Sequence, residues 1–253
     1  MRRPLIRLLE ALAVLVSIAT ILVGLLIWRL SSAPLSLEPV KSWLVAALLD
    51  GRPGVTLALG ETSISWGGWR DFFQIRARDA DLRGAGGGSV LTVAEVTVTL
   101  SLGALVSGRL APLELRLTQP RLALRRDAQG RLVIDRPAGD GAPVQADDPS
   151  DVAQATHFLT ALAAPADRRQ ALGQLKRVAV EQGEVTFRDA AWSRPMRVTI
   201  PSVTAERTVT GLRLDGSARV NLGVPASLLT VAARFDRVRR EVDGRVDFAG
   251  VAI

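Results

Sequence analysis

LVSGRLAPLELRLTQPRLALRRDAQGRLVI, residues 105–134, decides the fold. Leu113, Leu115 and Leu117 alternate with Glu114, Arg116 and Thr118, and Leu122 and Leu124 alternate with Arg121, Ala123 and Arg125. Successive side chains of a strand point to opposite sides, so a period of two gathers the leucines on one face and the charges on the other. Pro112 and Pro120 are expected at strand boundaries, where a missing N–H does least harm. Asp127-Ala128-Gln129-Gly130 is expected to be a hairpin turn ending in glycine. A sheet with one oily face must set something against it: a second sheet, helices or a ligand.

The same grammar extends outward. Val96, Val98, Leu100 and Leu102 alternate with Glu95, Thr97, Thr99 and Ser101, so residues 72–102 read as two long strands joined at 84–89. VTLALGETSISW, 55–66, reads as a hairpin turning near Gly60. Residues 36–54 read as a short helix, with Ser36 as its N-cap and Gly51 and Pro53 as its stop. PAGDGAPVQADDPSD, 137–151, is a loop or flexible linker, and two short helical patterns split at Pro165 follow it. Alternation then returns at 176–190, where Val185 and Phe187 share a face, and continues through 194–222 and 227–253. GVTLALGETSISW and RVAVEQGEVTFRD echo one another loosely: an alternating strand, a Gly-containing turn beside Glu, and a return strand. The last strand reads as an open edge or as the point where a longer protein continues.

The amino end has a different character. Arg2, Arg3 and Arg7 precede a stretch from Ala11 to Trp28 without a charged residue. As a helix this stretch is roughly 27 Å long, near the ~30 Å hydrocarbon core of a bilayer. Trp28 falls at the interface, where aromatic side chains settle. Ser31-Ser32-Ala33 resembles a signal-peptide cleavage site, but bulky Trp28-Arg29-Leu30 stands in its approach, so an uncleaved anchor is the reading. The basic end is expected in the cytoplasm and the remainder outside it.

Composition narrows the chemistry. The chain of 253 residues has no cysteine, so neither disulfides nor cysteine metal sites are available. The net charge of +7 comes without a lysine-rich tract, and many arginines sit on strand faces beside Asp or Glu, so no nucleic-acid partner is expected. Gly84-Ala85-Gly86-Gly87-Gly88 precedes a strand, whereas a phosphate loop precedes a helix, so it reads as a hairpin connection. His157 stands in a helical pattern with Ala161 at i+4 and reads as structural. Asp147, Asp148 and Asp151 lack the glycine and glutamate of a calcium loop. Asp189 reads as a strand-end carboxylate paired with arginine. Trp66-Gly67-Gly68-Trp69-Arg70 reads as a hairpin end stapled by aromatic packing, with a headgroup-dipping tip as the alternative. No serine, lysine or carboxylate pair stands in a catalytic context, so neither an enzyme nor a cofactor is expected.

About a dozen strands follow from the pattern, and in one sheet they would span roughly 58 Å. The short helical segments cannot cover that width. The expected fold is mainly β: an elongated antiparallel sheet curled into a groove or trough, with an amino-terminal transmembrane helix and a few short helices. Its parts are a cytoplasmic tip and anchor (1–31), a first groove segment with a leading helix (32–136), a linker with short helices (137–175), and a second groove segment (176–253). Val96, Val98, Leu100, Leu102, Leu113, Leu115, Leu117, Leu122, Leu124, Val185 and Phe187 are the expected lining.

The anchor, the SLEPV…LLDG segment, SISWGGW…IRARDADL and VTVTLSLGALVSGRLAPLELRLTQPRLALRRDAQGRLVI resemble the amino-terminal part of AsmA-like proteins, in particular the YhdP branch. PRLALRRDAQG, 120–130, resembles that family's strand–turn signature, and VAVEQGEVTFRDA, 178–190, resembles a second one. The resemblance implies an inner-membrane anchor through residues 8–30 and a periplasmic β-groove related to chorein-type bridge lipid carriers. It further implies phospholipid as the ligand, conduction of acyl chains toward the outer membrane, and outer-membrane or periplasmic partners met through a further carboxy-terminal region. The alternative is a membrane-anchored scaffold for outer-membrane protein assembly, with its sheet closed into a sandwich.

Overall fold

A computed structural model describes residues 14–18, 20–22, 24–25, 28–29, 35–36, 56–68, 72–83, 89–107, 111–126, 130, 132–135, 172–189, 195–221, 227–239 and 241–249. Their strands are β1 (Leu35–Ser36), β2 (Thr56–Ala58), β3 (Thr62–Gly68), β4 (Phe72–Arg83), β5 (Ser89–Leu100), β6 (Pro112–Arg126), β7 (Leu132–Asp135), β8 (Arg177–Asp189), β9 (Met196–Arg207), β10 (Gly211–Asn221), β11 (Ser227–Asp236) and β12 (Glu241–Ala249). One helical turn, α1 (Leu102–Val106), and a 3₁₀ turn at Leu172–Gln174 accompany them. All twelve strands form one open sheet in the order β1-β3-β4-β5-β6-β8-β9-β10-β11-β12, with β2 beside β4 and β7 beside β6.

The expected antiparallel arrangement holds at every pair but one. β6 and β8 run parallel. The Lys176 N–H donates to the Leu113 carbonyl at 2.8 Å, so β8 starts where β6 starts. β7 runs antiparallel to β6, and Gly130 between them has φ +79°, while residues 127–129 of the expected turn lie outside the described residues.

Register carries the apolar face from strand to strand. Leu115 lies between Val98 and Val178, Leu117 between Val96 and Val180, and Leu122 between Leu91 and Val185, while Leu124 faces Phe187. The rows continue through Val198, Val203 and Ala205, then Leu212 and Leu214, then Leu229, Val231 and Phe235, to Val242, Val246 and Phe248. Hydrogen-bonded neighbours share a face, so a correct register in one pair propagates to the next.

A strict period of two would break this face, because Leu117 and Leu122 differ in parity. One extra residue in each strand repairs it. Asp79 in β4, Gln119 in β6 and Gln182 in β8 have φ of 47°, 53° and 55°. Asp79 stands opposite Ala94 of β5, and Gln119 stands opposite the same Ala94. Gln182 stands opposite Pro201 of β9. Each insertion meets one in the neighbouring strand, so the register holds across this line from β4 to β9; shifts fall near strand ends, at Trp66/Gly68, Leu82/Arg83 and Thr99/Leu100, and in β10 between Ser217 and Arg219. The side chains of Gln119 and Gln182 join across the row, with an Nε2-to-Oε1 hydrogen bond of 3.1 Å.

The same row corrects three local expectations. Residues 55–66 are not a hairpin: β2 and β3 pair with β4 in one continuous register, interrupted at Gly60, opposite Asp79. The Gly60 N–H donates to the Arg78 carbonyl at 2.9 Å, and a Cβ at Gly60 would stand 2.7 Å from that oxygen, so the close approach requires glycine. RVAVEQGEVTFRD likewise does not turn back, being the single strand β8 with Gly183 inside it. Its echo of 54–66 is therefore two strands crossing one line. Pro120 lies within β6, beside Gln119, instead of at a boundary. Ser36 is in β1, paired with Ser63, and the helix it was expected to cap lies outside the described residues. Residues 37–50 and 136–171 lie outside the described residues, as do His157, Asp147, Asp148 and Asp151.

Burial is thin. Among the described residues the buried apolar side chains are small or cluster at one end of the sheet: Ala77, Ala80 and Val93, then Leu100, Ala104, Ala111, Leu175, Ala179 and Ala205. The described residues between 14 and 29 are helical, and Val14, Leu15, Ile18, Leu22 and Trp28 are exposed. Among the described residues, no helix is long and apolar enough to cross a membrane.

Candidate functional site

The polar face is held by short-range charge pairing. Arg116 reaches Glu114 and Glu181, both at 3.1 Å, across the parallel pair. Arg76 meets Glu95 at 3.3 Å and Arg197 meets Glu184 at 2.9 Å. These pairs are exposed, and such pairs contribute roughly 0–1 kcal/mol each, so their effect is to match neighbouring strands. Ser89 donates to Asp81, and this bond first, with Arg83 assisting against some desolvation, holds the Asp81 carboxyl below its ordinary range.

The opposite face is the candidate site. It is apolar from Ile75 on β4 to Phe248 on β12, and outside one end its large side chains, Val93 apart, are only half-buried or exposed. On β12, Val242 is 70%, Val246 51% and Phe248 69% exposed. The exception is Leu175, 1% exposed, which follows the 3₁₀ turn and packs on Ala205, Leu115, Val178, Leu212 and Leu214. Beside it, the Ser101 hydroxyl accepts from the Ala104 N–H at 3.3 Å and caps α1. Among the described residues, one end of the oily face is therefore covered and the rest is not.

Most of the expected lining residues come together. Val96, Val98, Leu100, Leu115, Leu117, Leu122, Leu124, Val185 and Phe187 lie on this face by register. Leu113 shares the parity of Leu115 and lies beside the shift where β6 meets Leu100. Leu102 does not join the strand row: β5 ends at Leu100 and Leu102 opens α1, because Ser101 supplies the cap that turns the chain. The face also holds residues outside that set, among them Ile75, Ile200, Val203, Leu212, Leu214, Val231 and Phe235. Their alternation was visible, but pairing order, which no single strand encodes, was needed to place them.

Charges also reach the apolar parity at the strand ends. At one end Arg126 meets Asp189 at 3.6 Å, the arginine-paired carboxylate the sequence suggested. At the closed end Arg207 follows Ala205 on β9, donates to the Gly173 carbonyl and is half-buried. Burial first, and then the neighbouring Arg237, pushes its pKa down. Trp66 packs edge to face on Phe73 of β4 at the same end, with centroids 5.3 Å apart, while Trp69 and Arg70 lie outside the described residues. Among the described residues no cluster of His, Cys, Asp or Glu could hold a metal ion.

No family model matches the chain, and no curated protein matches it significantly.

Proposed function

We propose that this protein is a membrane-anchored lipid carrier whose apolar sheet face solvates phospholipid acyl chains, in the manner of the AsmA-like proteins its sequence resembles. The observation that carries the reading is the apolar face, continuous across eight sheet positions from β4 to β12 yet without a packed layer over most of it among the described residues. Large exposed apolar surfaces on a monomer mark an interaction. Contact with an acyl chain removes apolar area from water at about 25 cal/mol per Å², and no covalent chemistry is needed. The row of extra residues at Asp79, Gln119 and Gln182 supports a groove, because such insertions bend strands and increase twist, and a line of them gives a sheet an axis to curl about. The uncharged stretch from Ala11 to Trp28 supports an inner-membrane anchor with the amino end cytoplasmic and the sheet periplasmic. Conduction toward the outer membrane belongs to the same proposal, with phospholipid as the cargo.

The test uses the full chain with a photo-crosslinking side chain at position 231 and, separately, the Val246→Asp variant. Position 231 faces Val246 across β11–β12, away from Leu175. Phospholipid adducts at 231, blocked by Val246→Asp with an unchanged melting curve, are expected. If no lipid adduct forms and Val246→Asp unfolds the protein, the face is a closed core and the scaffold reading replaces this one, since an unpaired carboxylate is tolerated only where it reaches water.

A further inference from the structure

The two edges of the sheet are guarded differently. At one edge β3 carries the two-residue β1, and its pairing with β4 shifts between Trp66 and Gly68. At the other edge β12 runs nine residues in unbroken register with β11. Among the described residues no strand pairs with its outer side. Such an edge presents a row of N–H and C=O groups to any chain that can match it, and proteins blunt edges with lysine, proline, bulges or inward-pointing charges. The strand EVDGRVDFA holds no lysine, proline or bulge. Glu241, Asp243, Arg245 and Asp247 lie on the polar side, opposite Asp236, Arg234, Ala232 and Thr230, while Val242, Gly244, Val246 and Phe248 take the apolar side.

That alternation limits what can match the edge. Directly opposite residues share a face, and a slip of one residue would set apolar side chains against charges. Consider β12 laid antiparallel against its own copy with the faces kept together. Centring the pair on Arg245 sets that residue against itself and Asp243 against Asp247. Centring it on Gly244 sets Asp243 against Arg245 but Glu241 against Asp247. Centres at Asp243 or Asp247 set an aspartate against itself. Centring it on Val246 sets Arg245 against Asp247 on both sides of the axis, Asp243 against Ala249, and Phe248 against Gly244. A Cβ on Gly244 would meet nothing closer than 3.9 Å, so the phenylalanine ring finds room there. Like charges directly opposite destabilise a strand pair. Of these registers, only the one centred on Val246 matches opposite charges and opposes no like ones.

We infer that β12 pairs antiparallel with β12 of a second copy of this chain, about a two-fold axis passing Val246. Arg245 already meets Asp247 of its own strand at 3.1 Å, and the two side chains are 80% and 60% exposed, so they are free to meet their counterparts across the axis. A two-fold interface of this kind is self-complementary and closes after two copies. The axis stands perpendicular to the sheet, so both apolar faces fall on the same side and form one surface across the pair. The pairing uses the strand edge, not the face, and stands apart from the acyl-chain reading.

The chain has no cysteine, so Val246→Cys and Val242→Cys in the detergent-purified full chain each carry one thiol. Across the axis the two copies of position 246 would have Cβ atoms roughly 5 Å apart. The two copies of position 242 would lie about 27 Å apart along the strands. A short bis-maleimide is expected to link Val246→Cys into dimers and to leave Val242→Cys unlinked. Arg245→Asp opposes like charges in every register above and should weaken dimerisation, followed by sedimentation, about tenfold. Adding Asp247→Arg restores opposite charges across the axis and should restore the dimer, with circular dichroism matching the parent throughout. A chain that sediments as a monomer overturns the pairing. So does linking at 242 as fast as at 246, a dimer indifferent to Arg245→Asp, as one held by the anchors would be, or failure of the double exchange to restore it. Dimerisation is read without added lipid, so each of these results leaves the acyl-chain reading standing.

Discussion

The neighbourhood of Leu175 and the strand β12 belong to one sheet and share one hydrophobic pattern, yet they sit in opposite physical states. At Leu175 the apolar face is covered: the side chain is 1% exposed and touches residues from β6, β8, β9 and β10. On β12 the same face is bare, with Phe248 69% exposed. Alternation was equally good in both places. The difference comes from a short segment, Leu172–Gln174 and Leu175, that folds back over one end and has no counterpart over β12 among the described residues. A period of two establishes which residues share a face and leaves open what covers it.

The sharpest way to break the comparison is to truncate one apolar side chain in each region. Leu175→Ala removes a fully covered leucine and should cost about 2–5 kcal/mol, seen as a large fall in melting temperature. Phe248→Ala should change stability by less than about 0.5 kcal/mol, as substitutions at uncovered positions do. Equal losses at both sites would mean that β12 is covered in solution, which would remove the motive for a ligand there.

Glycines test the contrast with backbone instead of side chains. A Cβ on Gly211 would overlap the Phe235 carbonyl, a backbone group that cannot rotate away, whereas a Cβ on Gly244 meets nothing closer than 3.9 Å. Gly211→Ala should therefore destabilise by about 1–3 kcal/mol, while Gly244→Ala should be neutral or slightly stabilising. Denaturant melts of the two variants give the comparison directly.

The smallest expected effect concerns the row that keeps the face continuous. Gln119 holds φ +53°, and an ordinary L-residue pays roughly 1–2 kcal/mol for that region. Gln119→Gly should recover part of that cost, offset by loss of the 3.1 Å bond to Gln182. Gln119→Val should lose about 1 kcal/mol or more, since a β-branched side chain tolerates the left-handed region poorly. Unfolding equilibria of the two variants should differ in that order; the reverse order would mean that β6 runs straight through position 119.

Much of the surface was legible in advance because its physics is local. The long strands β4, β5, β6, β8 and β9 follow from alternation, and the antiparallel return of β7 onto β6 agrees with a glycine at Gly130 that accepts positive φ. Nine of the eleven expected lining residues pair on the apolar face, Leu113 joins them by parity, and Leu102 leaves because Ser101 caps a helical turn at the strand's end. The echo between 54–66 and 177–189 is visible in the sequence, where its glycines suggest two hairpins. A glycine in an alternating stretch signals close approach of backbone as readily as a turn, and the two meanings separate only when the neighbouring strand is known.

The sequence by itself determined the class of secondary structure, the two-faced character of each strand and the matched charges of the polar side, because each depends on residues one or two positions apart. Tertiary structure alone decided the parallel β6–β8 pair, the line through Asp79, Gln119 and Gln182, and the packing of Leu175 on the apolar face at one end. Those features depend on which strand lies beside which. Side-chain period carries no record of that order, since any oily face pairs well with any other until register, crossover and end contacts select among them.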